Sequence, residues 1–209
     1  MEIKEILERI HGQKLYFCND ETLMKEQAAC LEILYDFNQT RPGEGEKRTA
    51  LLRQLLAEVG ENVYIEPPLR ANWGRHTHIG RDVYANFNLT LVDDTHIYIG
   101  EGTMIGPNVT LVATGHPVRP DLRYQGAQYS LPVHIGENVW IGANVTVLPG
   151  ATIGDNAVIG ANSLVTKDIP ANTVAYGSPC KVIREINERD DVYYWRDRQF
   201  SERFKVKEQ

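Results

Sequence analysis

Cysteine is scarce. The chain has three in 209 residues, Cys18, Cys30 and Cys180, odd in number and widely spaced. That spacing suits neither a disulfide framework nor a zinc site, and a reduced, cytoplasmic compartment is the expectation. Long apolar runs are lacking too; none approaches the ~20 residues that span a bilayer. The N-terminus, MEIKEILERIHGQK, alternates charges with Ile and Leu, which is not the pattern of a signal peptide. Positive charge is in deficit: 22 Lys and Arg against 28 Asp and Glu leave a formal charge of −6. No basic face with interleaved aromatics marks a nucleic-acid binder. What is left, 42% hydrophobic, is globular and long enough for one domain, or one with a small appendage.

The first sixty residues read as helical. Leu23, Gln27, Leu31, Leu34 and Phe37 recur at roughly helical spacing, as do Leu51, Leu52, Leu55, Leu56 and Val59. Arg41-Pro42-Gly43 separates the two runs, and Gly60 is a candidate C-terminal stop. A helical segment over 1–60, packed against the remainder of the chain, is the expectation.

Then a six-residue beat takes over. From Ile135 an aliphatic residue returns at Ile141, Val147, Ile153, Ile159 and Val165. Four positions after each comes a small or branched residue, from Val139 to Ile169. The same beat runs earlier through Ile99, Ile105 and Leu111, and less regularly through Ile79, Ala85 and Leu91, with a two-residue slip around His96-Ile97-Tyr98. A hexapeptide period signals a parallel β-helix. Six extended residues span roughly 20 Å, one flat side of a triangular coil. The solenoid is expected over 61–183, with a charged and aromatic tail, 184–209, that folds over the last coil or reaches a neighbour. Such an end shields the open strand edge.

Between Leu111 and Ile135 the beat breaks off and resumes in phase. The stretch between, about 116–133, carries three prolines and many polar residues and suits an arm thrown out from the coil. It begins with His116. From position alone the ordinary reading is a loop histidine that caps a turn. His78, His96 and His134 each precede an inward aliphatic residue, so they are expected to face outward. His76 and His78 form an H-x-H pair, a minor candidate for metal chelation.

The tandem [Ile/Leu/Val]-Gly-x-x-x-x pattern resembles the hexapeptide acyltransferases. GENVYIEPPLRANWG, YANFNLTLVDD, TGHPV, IGENVWIGANV, GDNAVIGANSLVTKDIPANTVAYGSPCKVIREIN and KLYFCNDETL resemble their maltose/galactoside O-acetyltransferase branch in order and spacing, over nearly the whole chain. The resemblance implies a mainly β fold, a left-handed parallel β-helix assembled as a homotrimer with sites between subunits. It implies transfer of acetyl from acetyl-coenzyme A to a sugar hydroxyl, with no metal, nucleic-acid or membrane partner. A xenobiotic acetyltransferase of the same fold, or a zinc-dependent hydratase, is the alternative.

The resemblance also assigns residues. His116 matches the catalytic base, and a histidine suits that task because much of it is neutral at pH 7. Asn86 and Asp94 match acceptor-binding positions, although Asn and Asp also make turns at coil corners. Asn72 falls where a serine is common in the branch. Asp20 lies near an acidic position of the family, with Cys18 or Asn19 as rivals for it, and Gln128 is a further acceptor contact. For coenzyme A the matching positions are Ala143, Trp140, Ala161, Thr166, Lys167, Lys181 and Arg184.

Overall fold

A computed structural model of the protein describes residues 3–201. Its body is a three-sided coil of parallel strands. The first face stacks Glu58–Val59, Thr77–Ile79, Ile97–Ile99, Val133–Ile135 and Thr152–Ile153. The second stacks Tyr64–Ile65, Tyr84–Ala85, Met104–Ile105, Trp140–Ile141, Val158–Ile159 and Thr173–Tyr176. The third stacks Arg70–Ala71, Thr90–Val92, Thr110–Val112, Thr146–Val147 and Leu164–Val165. The aliphatic beat is the lumen: Ile141, Val147, Ile153 and Val165 are fully buried, and Ile135 and Ile159 nearly so. Each such side chain taken from water contributes about 1.5–3 kcal/mol.

Two residue types make the corners. Asparagine, three positions after the aliphatic residue, takes the left-handed conformation, as at Asn138, Asn144, Asn156 and Asn162 (φ 51° to 60°). Its side chain then bonds the asparagine one rung on: Asn108 Nδ2 donates to Asn144 Oδ1 at 3.0 Å, and Asn144 Nδ2 to Asn162 Oδ1 at 3.2 Å. Glycine has a different task. A Cβ on Gly142 would lie 2.6 Å from the backbone nitrogen of Ala161 on the next rung, so the rungs stack only because none is there.

Rung length varies, and always at one place. Register partners lie 20 residues apart at first (Glu58 opposite His78, His78 opposite Tyr98), then 36 (Tyr98, His134), 18 (His134, Thr152) and 16 (Ile153, Ile169). The extra residues all sit at the corner from the third face to the first, here the stepped corner. The slip near His96 is thus one of two equal insertions, the other preceding Ile79. Ile79, Ala85 and Leu91 are fully in phase, each at most 1% exposed.

Three helices precede or overlap the coil: α1 (Ile3–His11), α2 (Glu21–Asn38) and α3 (Gly45–Leu55). α1 and α2 bury Ile6, Ile10, Leu23, Cys30, Leu34 and Phe37, while Leu31 is exposed. α3 ends at Leu55, and Glu58–Val59 already pairs with His78–Ile79. Gly60 is therefore a coil corner rather than a helix stop, because the approach of Arg81 and Gly80 on the next rung leaves no room for a Cβ. At the far end Lys181–Glu185 folds back antiparallel on Thr173–Tyr176 and covers the edge of the second face. Pairing runs straight across 183–184, and residues 202–209 of the tail lie outside the described residues. Among the described residues no helix is long and apolar enough to cross a membrane.

Candidate active site

The stepped corner gathers chemistry on successive rungs. On one rung, Asn72 Nδ2 donates to Asp94 Oδ2 of the next at 2.9 Å. The neighbouring aspartate turns the other way. Asp93 is fully buried, accepting from Trp73 N at 2.9 Å and Thr77 Oγ1 at 3.0 Å. Burial pushes its carboxyl up to about 7, against the pull of those donors. Asp94 is also raised, chiefly by burial, with Asn72 and the charge of His116 opposing.

The next rung throws out the arm, whose base is a small antiparallel sheet. Thr114–Gly115 pairs with Ala127–Ser130, and Tyr16–Phe17 from the N-terminal segment pairs on the other side. Gly115 is tightly covered: a Cβ there would meet the Tyr129 hydroxyl at 2.7 Å. That fixes the backbone just before His116. His116 Nδ1 lies 2.9 Å from the Ala127 carbonyl oxygen. A carbonyl only accepts, so Nδ1 carries the proton and Nε2 presents a lone pair. Nε2 faces outward, 3.4 Å from Gln128 Nε2. Gln128 Oε1 is buried with no protein partner. Asn72 bonds Asp94, Gln128 lies beside His116, and the His116 charge reaches Asp94, so the four gather at the stepped corner.

The remaining sequence-selected residues divide by corner. Thr166 and Lys167 stand exposed on the stepped corner, two rungs, or roughly 10 Å, beyond the arm. Ala143 and Ala161 form a column at the other end of the third face, with Asn86 beside it, about 20 Å away by strand length. Asn86 Oδ1 accepts from Phe87 N at 2.8 Å, a local turn bond. Trp140 is exposed on the second face, and Lys181 and Arg184 extend that face. Arg184 is already held by both oxygens of Asp190, at 2.6 and 2.7 Å. Asp20 caps α2, its Oδ1 accepting from Thr22 N and Leu23 N. Cys18 sits nearer, close enough that the Asp94 charge adds to the burial that raises its thiol.

Sequence reading missed several neighbours. Tyr16 pairs with the arm, an arrangement no local pattern announces. His76 is buried, with Nδ1 2.8 Å from the Asp93 carbonyl oxygen, and is covered by His11 of α1. His78, His96 and His134 do face outward, but with Tyr98 they stack into a ladder. His78 Nε2 and His96 Nδ1 lie 3.1 Å apart. Among the described residues no three His, Cys, Asp or Glu side chains group as for a metal ion.

A parallel β-helix with a hexapeptide ladder, interrupted by an arm that holds a histidine, defines the class of hexapeptide-repeat transferases. The family model for bacterial transferase hexapeptide (six repeats) matches residues 132–167, and that for the maltose acetyltransferase hexapeptide capping motif matches 10–60. The chain is 53% identical to a galactoside O-acetyltransferase of Escherichia coli over 91% of its length and 94% of the relative's. It is 55% identical to one from Lactococcus lactis, over 91% and 92%. Among solved structures, a galactoside acetyltransferase in complex with coenzyme A superposes with a TM-score of 0.91 at 52% identity, covering 94% of this chain and 98% of that one. A maltose O-acetyltransferase from Clostridium difficile gives 0.85 at 45%, covering 88% and 98%. The chain belongs to the galactoside and maltose acetyltransferase family.

Proposed function

We propose that the protein transfers acetyl from acetyl-coenzyme A to a hydroxyl of a galactoside, maltose or glucose-type sugar. The observation that carries this reading is the His116 ring, whose Nδ1–H the Ala127 carbonyl accepts, which leaves the Nε2 lone pair on the exposed side beside Gln128. The sugar hydroxyl gives its proton to Nε2 as its oxygen attacks the thioester carbonyl carbon. The tetrahedral intermediate collapses, the C–S bond breaks, and the imidazolium returns the proton to the leaving sulfur. No acyl-enzyme forms. Asp94 accepts from one sugar hydroxyl, with Asn72 orienting it, and Gln128 offers its unpartnered oxygen to another. Backbone N–H groups near Ala143 meet the developing oxyanion. Trp140 and Ala161 flank the pantetheine, and Thr166, Lys167, Lys181 and Arg184 hold the phosphate end, for which Arg184 exchanges Asp190.

Asn86, Ala143 and Ala161 lie one side of the coil away from His116, so a single chain does not assemble the whole set. We take the working form to be a homotrimer, with the column from one copy facing the stepped corner of the next. We also take the coil to be left-handed, as the sequence resemblance implies. The three free thiols and the need for acetyl-coenzyme A fit a cytoplasmic setting.

Thiol release from acetyl-coenzyme A, measured against a panel of sugars with the product position read by NMR, tests the activity. His116→Ala is expected to fold and to lose about 10²–10⁴ in rate. A variant that keeps full activity removes the histidine from the mechanism.

A further inference from the structure

We infer that Tyr16 is a positioning residue for this reaction: its phenol ties the N-terminal strand to both strands of the arm and so holds the Ala127 carbonyl that sets the His116 tautomer. The inference rests on the reading of His116 as the base. It starts from a directed chain of hydroxyls. Thr114 Oγ1 donates to the Tyr129 carbonyl at 3.0 Å, and Ser130 Oγ donates to Thr114 Oγ1 at 3.2 Å. Ser130 has then used its single proton. Tyr16 Oη, 3.1 Å from Ser130 Oγ, must be the donor in that contact. Burial, reinforced by the charge of Asp94, pushes the phenol up to about 12, so the proton it donates is always present at neutral pH.

The same three strands carry the carbonyl in question. Phe17 pairs with Ala127, Tyr16 with Gln128, and Cys18 N donates to the Gly126 carbonyl at 3.0 Å. Thr114 pairs with Ser130, and Gly115 with Tyr129. The strand holding Ala127 is therefore the centre of the sheet. The Tyr16–Ser130–Thr114 chain is the side-chain link that runs across all three strands. If the link goes, Ala127 can shift against His116, and Nδ1 loses its fixed acceptor. The proton can then move to Nε2, which yields a histidine unable to act as base.

Tyr16→Phe keeps the buried ring and removes only the donor. Ser130→Ala breaks the same chain from the arm. Each is expected to lower kcat about 3- to 10-fold, the scale of one hydrogen bond, and to leave the KM for acetyl-coenzyme A within about twofold. The double variant should lose no more than the worse single, because both cut one chain. In ¹⁵N-histidine spectra at alkaline pH, wild-type His116 should show protonated Nδ1, and both variants should show a share of protonated Nε2. Unchanged kcat with an unchanged His116 spectrum overturns the inference, as does a loss confined to KM or one that adds fully in the double variant. Should Tyr16→Phe not fold, Ser130→Ala decides by the same criteria. If the wild-type protein transfers no acetyl group, the reading of the site fails on its own, and the nitrogen spectrum still decides the tautomer claim.

Discussion

Two adjacent aspartates show how one residue's setting decides its task. Asp94 accepts from Asn72 and lies within the electrostatic reach of His116, whereas Asp93 braces the corner through Trp73 and Thr77. The carboxyl of Asp93 sits at about 7 in the folded chain, far above its ordinary 3.8. The folded state therefore holds a proton that the unfolded chain has released, and its stability falls as pH rises between those values. Urea unfolding from pH 4.5 to 7 should show a wild-type stability advantage over Asp93→Asn that shrinks with rising pH, by at most about 1.4 kcal/mol per pH unit. A difference independent of pH would mean that Asp93 ionises normally. In sequence, Asp93 and Asp94 look alike. Only the resemblance preferred one of them, and nothing in local pattern distinguishes a brace from a ligand.

At the scale of elements, α1 meets the coil through imidazoles. His11 stacks on His96 with ring centroids 4.5 Å apart, lies edge-on to His76 at 4.8 Å, and has Nδ1 3.1 Å from Thr95 Oγ1. Burial lowers all three histidines, His76 to about 4, and repulsion from neighbouring imidazoles adds to this, from His96 on His11, from His11 and His96 on His76, and from His78 on His96. Arg75 is a further cation near His76, while Glu58 faces His78 at 3.7 Å. A depressed histidine favours folding above its unfolded value and withdraws that support as pH falls toward the folded one. Hydrogen exchange in α1, corrected for intrinsic rates, should therefore accelerate relative to the coil between pH 6.5 and 4. Equal protection across that range would show that α1 docks without regard to the imidazole charges. Spacing reveals α2 and α3 in the sequence, but the expected stop at Gly60 overruns α3, which ends at Leu55. The corner role of Gly60 depends on Gly80 and Arg81 of the next rung.

For the molecule as a whole, the proposed function requires two corners to meet, and they lie at opposite ends of one face. Mixed assemblies offer the test. Coexpressed His116→Ala and Asn86→Ala chains, each inactive alone, should regain part of the wild-type rate, because some interfaces pair an intact His116 with an intact Asn86. No recovery in assemblies shown to be mixed would place the complete site within a single chain. The six-residue beat by itself determined the coil, since an inward aliphatic every sixth position, with Gly and Asn at fixed offsets, permits little else. Residue 116 also stood out from sequence, as the first residue of chemistry where that beat stops. Only the tertiary structure decided that every insertion falls on one corner, that an N-terminal strand pairs with the arm, and that Asn86 stands one side of the coil away from His116. Those outcomes depend on which rungs stack and which strands pair, contacts between residues distant in sequence that no local spacing encodes.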